Sequence, residues 1–243
     1  MRSSEQDNQL PQALRALWGQ TDPGRRGPKP GMSVRSIAAA AVEIADKHGL
    51  EAASMAAVAK QLGFTTMSLY RYFDSKSDLQ AVMIDEAAGP APTPNRRRSW
   101  RGQLEDWARA DARHLAAHPW VLDVRLGSPP TGPNLLGWMD IGFQILHRSG
   151  LAPQEAASSL LVVDGYVRNH VLLGLQYASA ASGVWVAQLR SVLDPDELPA
   201  VSAMLESGAF DDDDGAEFPG DEFEFGLALL LDGIEQLANR RAK

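Results

Sequence analysis

The chain of 243 residues contains no cysteine, which excludes a disulfide framework, thiolate metal ligands and cysteine nucleophiles, and which fits a reducing cytoplasm. It has no apolar run near the roughly 18 residues that a membrane span requires, and its first ten residues lack the apolar core of a signal peptide. With 44% apolar and 22% charged residues, it has enough apolar side chains for a substantial core. The composition therefore predicts a cytoplasmic globular protein with no membrane partner.

Positive charge is also scarce. The chain has 23 Lys and Arg against 31 Asp and Glu, a net charge of −8, which taken as a whole argues against a nucleic-acid partner. The distribution is uneven, however: residues 1–80 hold 10 basic and 8 acidic side chains, whereas residues 81–243 hold 13 and 23. This step predicts two domains with different tasks.

Hydrophobic periodicity of 3 and 4 residues recurs along the chain, and no useful segment alternates with period two, so the sequence predicts an all-α fold. We expect a mobile basic arm over 1–31, a first domain over 32–80 and a larger second domain over 81–243. Four short helices are predicted within 33–87, the third from Thr66 to Phe73. Longer helices are predicted near 100–118, 120–126, 134–148, 153–182, 184–193, 197–207 and 221–241.

The second and third short helices have the features of a helix-turn-helix. Ala59 is small where two helices must approach closely, and Gly63, four residues on, permits the turn without a Cβ penalty. Val58, Leu62 and Leu69 supply apolar contacts between the two helices. Together with the preceding helix and the basic arm, this pattern predicts a DNA-binding unit.

The stretch from Ala45 to Leu79 resembles the DNA-binding domain of the tetracycline-repressor (TetR) family. The resemblance is most specific over 67–73, the sequence MSLYRYF, followed by Ser75 and Lys76, and it is looser in the C-terminal part, at 118–120, 132–134 and 222–226. It implies a homodimeric, ligand-responsive transcriptional regulator, usually a repressor, that binds a palindromic operator. The sequence departs from the family where Ala56 and Ala57 replace the basic residue that many members have near the start of the second helix.

The third helix presents groups suited to DNA. Arg71 is the best candidate for a base contact, because its guanidinium can meet both acceptors of a guanine. Thr66 and Met67 are candidates for a thymine methyl group. The remaining DNA-binding candidates, mostly for phosphates, are Arg35, Lys60, Thr65, Tyr70, Tyr72 and Lys76, together with the 25–29 arm.

The C-terminal helices carry aromatic and polar side chains of the kind that line small-ligand sites. One face of helix 153–182 is predicted to face a cavity, while its Val167 and Val171 side is predicted to meet a second subunit, together with the last helix. Ligand binding is expected to shift helix 75–87 and so the separation of two recognition helices. The predicted site for a partly aromatic effector consists of Trp107, Asp111, His114, Phe143, His147, Tyr166, His170 and Tyr177.

Three other functions are open on sequence grounds. Asp111, His114 and His118 have a spacing that hints at a metal-dependent helical enzyme, although no HExxH glutamate, catalytic triad order or phosphate loop is present. We therefore expect no enzyme activity, no cofactor and no metal site, and we interpret the run 211–214 of four aspartates as a solvated loop rather than a cation site. An activator on the same scaffold and a non-specific DNA coat are the remaining alternatives.

Overall fold

The structure, a computed structural model, describes residues 10–20, 32–124, 129–177, 182–210 and 220–241. Over these ranges it contains helices and connecting loops without a strand, which confirms the predicted all-α class. None of the helices described has the length and apolar character needed to cross a membrane. The α-helices are α1 (Gln12–Leu17), α2 (Val34–His48), α3 (Met55–Leu62), α4 (Thr66–Leu69), α5 (Lys76–Ala88), α6 (Trp100–Ala117), α7 (Pro133–His147), α8 (Pro153–Tyr177), α9 (Ser182–Val192), α10 (Pro199–Glu206) and α11 (Gly220–Arg241), with 3-10 helices at Leu50–Ala52 and Pro119–Asp123.

Side-chain caps determine where the helices of the N-terminal unit begin. Ser33 and Ser36 form a capping box, in which each hydroxyl accepts the other residue's backbone N–H at 3.1 and 2.8 Å. The Ser54 hydroxyl accepts the N–H of Ala57 at the start of α3. Gly63 ends α3 in the left-handed region, with φ of 72°, so that the chain turns directly into α4. These local signals confirm the predicted helix-turn-helix.

The third helix of this unit is shorter than the predicted span from Thr66 to Phe73, because α4 ends at Leu69. Beyond it the chain tightens into a turn, in which the N–H of Tyr72 donates to the carbonyl of Leu69 at 2.8 Å. Thr65, which precedes α4, does not cap it with its side chain, since the Thr65 hydroxyl is hydrogen-bonded to the Ser68 hydroxyl and not to a backbone N–H. Complete burial of Leu69 and Phe73 nevertheless holds the segment against the core.

The prediction of a mobile arm over all of 1–31 is wrong at residues 12–17, which form α1. Ala13, Leu14 and Leu17 are buried against α2 and α5. A six-residue helix is not stable alone, and so tertiary packing rather than local sequence stabilises α1. The predicted basic arm at 25–29 lies outside the described residues.

The C-terminal body is built on α6, α7 and α8, with α11 packed on α8 and α6. Leu104, Leu115, Val163 and Leu227 are fully or almost fully buried within it. Two arginines of α6 attach α11 at its surface: Arg109 to Glu224, and Arg101 to Asp232 and Glu235. Helices α9 and α10 pack on each other as a separate hairpin.

Candidate DNA-binding surface and effector site

The turn and the α4 segment present most of the predicted DNA-binding side chains to solvent. Met67 is 75% exposed and Tyr70 is 49% exposed. Arg71 and Lys60 are also exposed, as is Thr65, while Thr66 is half-buried. Since Leu69 and Phe73 point into the core, the outer side of this segment is free to enter a groove of DNA.

Three of the predicted phosphate contacts already have partners within the protein. Lys76 forms an ion pair with Glu51 at 3.1 Å, and Arg35 forms one with Glu86 at 3.4 Å. The hydroxyl of Tyr72 donates to a backbone carbonyl at 3.4 Å. Exposed ion pairs contribute only about 0–1 kcal/mol, so a phosphate can replace the carboxylate beside Lys76 at little cost. The partner of Arg35 has a different location: Glu86 is near the end of α5, towards the C-terminal body.

The interior between α6, α7 and α8 contains a buried carboxyl group, which has one aromatic side chain a turn before it and another a turn after it on α6. Asp111 is only 7% exposed, and its Oδ2 atom has no hydrogen-bond partner among the residues that the structure describes. Burial raises the pKa of Asp111 to about 7; the charge of Asp164 raises it further and that of Arg168 lowers it. Above the carboxyl group on α6, Trp107 donates its indole N–H to the carbonyl of Trp138 at 3.1 Å, and their ring centroids are 5.9 Å apart.

His114 lies one turn beyond Asp111 on α6 and is held neutral. Burial and the neighbouring His118 lower the pKa of His114 to about 4. Its ring centroid is 5.3 Å from that of His118 and 6.1 Å from that of Trp138. Trp107, Asp111 and His114 therefore form one cluster, which we call the central cluster, and Trp138 belongs to it although sequence reasoning missed it.

The other predicted effector residues lie elsewhere. Tyr166 and His170 pack on Phe223 of α11, with ring centroids 5.6 and 5.1 Å from it, and the Tyr166 hydroxyl donates to the Phe223 carbonyl at 2.9 Å. Asp164 and Arg168 are the α8 residues whose charges act on Asp111. Each is two residues from Tyr166 along the helix, so Tyr166 and His170 lie on the opposite side of α8 from them. The other three candidates are scattered: Phe143 is half-buried at the core edge, His147 lines an outer cleft, and Tyr177 is 64% exposed.

The arrangement does not support the metal-dependent enzyme. The Nδ1 atom of His118 is 2.8 Å from a carboxylate oxygen of Asp46 on α2, and the same oxygen accepts the indole N–H of Trp120 at 2.7 Å. His118 is thus a structural link between the two domains. In the part of the chain that the structure describes, no group of three potential ligands could hold a metal ion. The aspartate run at 211–214 lies outside that part.

A second link joins α5 to the start of α7 and was not found from the sequence. Asp85 is fully buried, and its Oδ1 atom accepts the N–H of Leu135 at 3.0 Å, which caps α7 from another helix. Burial raises the pKa of Asp85, while the hydrogen bonds at α7 lower it. Gly132 is required here because a Cβ would overlap the Asp85 carboxylate. The only signal in the sequence is an aspartate that directly follows three apolar residues of α5.

Helix α1 adds a third link. The indole N–H of Trp18, just after α1, donates to the carbonyl of Thr131 at 2.9 Å, immediately before the α7 cap. At the other end of α1, the side-chain amide of Gln12 donates to the carbonyl of Arg71 at 3.3 Å. One short element therefore contacts the recognition segment, α5 and the loop that leads into α7.

Two family models match this chain. The model for bacterial regulatory proteins of the tetR family matches residues 37–82, and the model for the tetracyclin repressor-like C-terminal domain matches residues 91–238. The chain belongs to the TetR family. The resemblance predicted from the sequence is therefore confirmed, and the TetR assignment makes this protein a transcriptional regulator with a DNA-binding domain.

Among its relatives in the TetR family is the HTH-type transcriptional repressor DrrR1 of Streptomyces coeruleorubidus, which is 36% identical over 96% of this chain and 88% of its own. The HTH-type transcriptional repressor Rv1353c of Mycobacterium tuberculosis is 28% identical over 92% of this chain and 89% of its own. The structure of ActR from Streptomyces coelicolor in complex with actinorhodin has a TM-score of 0.71 at 23% identity, covering 87% of this chain and 99% of that one. This last similarity concerns the fold alone.

Proposed function

We propose that this TetR-family protein is a repressor that binds an inverted-repeat operator as a homodimer and is released by a small, partly aromatic effector. The observation that carries the proposal is the connection of an exposed recognition segment to a buried polar cluster through α5 and α7. The repressors DrrR1 and Rv1353c, matched over nearly the whole chain, support the negative sign of regulation. Catalysis has no part in this proposal, and action on the chromosome is consistent with the predicted cytoplasmic location.

The homodimer is supported by an apolar face on α8 and α11 that the described part of the chain leaves exposed. Leu161 is 71% exposed, Phe225 is 69% exposed and Leu229 is 57% exposed, and large apolar side chains grouped on one surface mark an interaction site. Gly165 and Gly233 have nothing within 4 Å of an added Cβ, so these helices leave room for a close partner. Two such faces related by a twofold axis would form a four-helix bundle.

The predicted dimer contact through Val167 and Val171 is wrong, because these side chains are 0% and 1% exposed within one chain. They pack into the core with Val163, on the side of α8 that faces α6 and α7. The opposite side, which carries Leu161 and Gly165, is the one left open. A second subunit therefore has to meet α8 there.

The central cluster is the proposed effector site. An effector that donates a hydrogen bond would satisfy the unpartnered Oδ2 atom of Asp111, and the rings of Trp107, Trp138 and His114 would contact its flat apolar part. The ActR structure with actinorhodin is an instance of this fold holding a small molecule. Tyr166 and His170 are left out of this site because their rings are used against α11.

Release would follow from a displacement of α7 relative to α5. Two hydrogen bonds join α5 and α7. The carboxylate of Asp85 accepts the N–H of Leu135, and the indole N–H of Trp138 donates to the carbonyl of Ala88 at 3.2 Å. Trp138 also forms a wall of the central cluster, so an effector that displaces its ring acts directly on the end of α5. A tenfold change in operator affinity requires only about 1.4 kcal/mol of coupling.

Selection of bound duplexes from a random DNA library tests the proposal, and the enriched sequences are expected to contain an inverted repeat with half-sites about one helical turn apart. Recovery of sequences without a shared motif would favour the non-specific DNA coat instead. The enriched duplex then provides the probe for measuring operator binding by variants of the protein.

Arg71→Ala and Lys76→Ala are expected to weaken operator binding in different ways. The loss of Arg71 should relax discrimination at one base pair of each half-site, at about 1–3 kcal/mol, because a bidentate base contact is removed. The loss of Lys76 should weaken binding to all duplexes and reduce the salt slope by about one unit, because a phosphate contact is removed. Fluorescence anisotropy with the selected duplex and single-base variants measures both effects, with Arg113→Ala on α6 as the control.

Equal weakening of every duplex by Arg71→Ala would contradict the base contact. A reduced preference at one position after Lys76→Ala would contradict the phosphate contact.

A further inference from the structure

An outer cleft of about 760 Å³ lies between the proline-rich loop 91–96 and α7, and the proposed function does not use it. Its volume falls within the roughly 300–1,000 Å³ that small-molecule sites occupy. Pro92 and Pro94 form one wall and Ile141 part of the other, so a flat apolar body has surfaces to contact on both sides.

The cleft is separate from the central cluster because the two lie on different faces of α7. Trp138 faces the central cluster, and an added Cβ at Gly142 would meet Leu160 of α8. The cleft is instead lined by Ile141, Gln144 and Arg148, which lie about 60° to 120° from Trp138 around the helix axis. Occupation of one site does not require occupation of the other.

Arg148 is oriented by a buried amide. Gln103 of α6 is only 2% exposed; its Nε2 atom donates to the carbonyl of Arg98 at 2.7 Å, and its Oε1 atom accepts Nη1 of Arg148 at 2.9 Å. An amide fixed at both ends holds the guanidinium in place without neutralising its charge.

The residues that line the cleft carry more positive than negative charge, with two arginines against one aspartate. Arg98, which is outside the cleft, pairs with Glu105 and Asp106. Across the described ranges of the chain, neither Arg148 nor Arg96, the second arginine of the cleft, makes an ion pair. In a domain that carries net negative charge, two arginines without carboxylate partners on one cleft favour an anionic occupant.

The cleft also contains a carboxylate, which restricts the occupant further. Asp140 lines it and accepts the Gln144 amide at 2.7 Å, so it would repel a second acidic group and accept a hydroxyl. His147 lies at the same end. We propose that this cleft binds a small, flat organic acid that has one carboxylate, for Arg148 and Arg96, and a hydroxyl group, for Asp140.

Isothermal titration of the full-length protein with 3-hydroxy-2-naphthoate tests this proposal. We expect saturable binding of one molecule per chain, at least about tenfold weaker in Arg148→Met, because the variant keeps an apolar stem and loses the charge-assisted hydrogen bonds. The control variant Arg113→Met removes an exposed arginine of α6 that does not line the cleft, and it should bind like the unchanged protein. The uncharged 2-naphthol should bind equally weakly to all three.

Gln103→Leu separates a positioning role from a direct contact. It should weaken 3-hydroxy-2-naphthoate less than Arg148→Met does and leave 2-naphthol unchanged, since it releases the guanidinium without removing it. The absence of saturable binding to the unchanged protein, or equal affinity of Arg148→Met and Arg113→Met, would overturn the proposal. Arg148→Met should leave the circular dichroism unchanged because Arg148 is exposed, and it should lower the melting temperature modestly because the buried Oε1 atom of Gln103 loses its donor. A native spectrum keeps a loss of binding interpretable.

Discussion

Leu161→Lys is expected to convert the homodimer into monomers and to lower operator affinity by about a hundredfold or more. Leu161 is 71% exposed on the open side of α8, and we place it inside the dimer interface, where a lysine from each subunit would be buried without a partner. A monomer reaches only one half-site, so the affinity gained by holding two recognition segments together is lost. Light scattering during size exclusion should give a mass near the 26.3 kDa of one chain.

Ala117→Lys is the matched control for this variant. It adds the same charge at an exposed position at the end of α6, away from the α8 and α11 face, and it should leave both mass and operator affinity unchanged. A dimeric Leu161→Lys protein with normal affinity would contradict the proposed interface. A monomeric variant with normal affinity would contradict the need for a dimer.

Asp111→Asn is expected to raise the free energy of unfolding by about 4 kcal/mol at pH 8, because each unit of pKa shift corresponds to 1.36 kcal/mol. Burial raises the pKa of Asp111 from 3.8 to about 7 in the folded protein, so at pH 8 the folded chain carries a charge that its surroundings disfavour. This destabilisation develops as the pH rises from about 4 to 7. Asparagine has a similar shape and no charge, and the gain should fall to about 1 to 2 kcal/mol at pH 5.

His114 gives the variant a recognisable pH profile. Burial lowers its pKa from 6.5 to about 4, so its contribution to stability is present above pH 6.5 and is lost as the pH falls towards 4. In the unchanged protein this slope opposes that of Asp111 over the same range, and the two largely offset. Once Asp111 is replaced, stability should rise with pH from 4 to 6.5.

Urea unfolding at several pH values measures both effects, with Asp106→Asn as the control. Asp106 is on the same helix but at the surface, paired with Arg98 and Arg109, and its replacement should change stability by less than about 1 kcal/mol. If Asp111→Asn had the stability and pH profile of the unchanged protein, Asp111 would not be a buried, electrostatically strained group, and its role as the polar contact of the effector site would lose its basis.

The N-terminal unit could be predicted closely because its signals are local. Ser33 and Ser54 cap the helices that follow them. Gly63 ends α3 in the left-handed conformation, which glycine adopts without a steric penalty. The outward side of the recognition segment follows from Leu69 and Phe73, which are four residues apart and both face the core. The same reasoning placed the C-terminal helices, whose ends in the structure lie within a few residues of most predicted ends.

Features that depend on distant packing could not be predicted in this way. The buried residues of α1 form too short a stripe to signal a helix, and their partners on α5 are far along the chain. Asp85 caps α7 from another helix, so nothing near Asn134 or Leu135 in the sequence indicates it. Helix α8 has apolar residues on two sides, and only the positions of α6, α7 and α11 determine that Val167 is buried and Leu161 is left open.

The predicted effector residues do not form a single site, for the same reason: their relative positions depend on how distant helices pack. The periodicity of α8 correctly groups Tyr166 with His170, and that of α6 groups Trp107 with Asp111 and His114. Periodicity within a helix does not tell which sides of two helices face each other, however. The structure turns Asp164 and Arg168 of α8 towards Asp111, and so directs Tyr166 towards α11.

The most direct test of the central claim is a footprint of the purified protein on the DNA upstream of its own gene and the neighbouring gene. We predict one protected segment that contains an inverted repeat, protected at protein concentrations that leave the flanking DNA accessible, and lost at the same concentration of Leu161→Lys. Uniform protection along the duplex, or protection that is the same for the unchanged protein and Leu161→Lys, would contradict a dimeric operator-binding repressor.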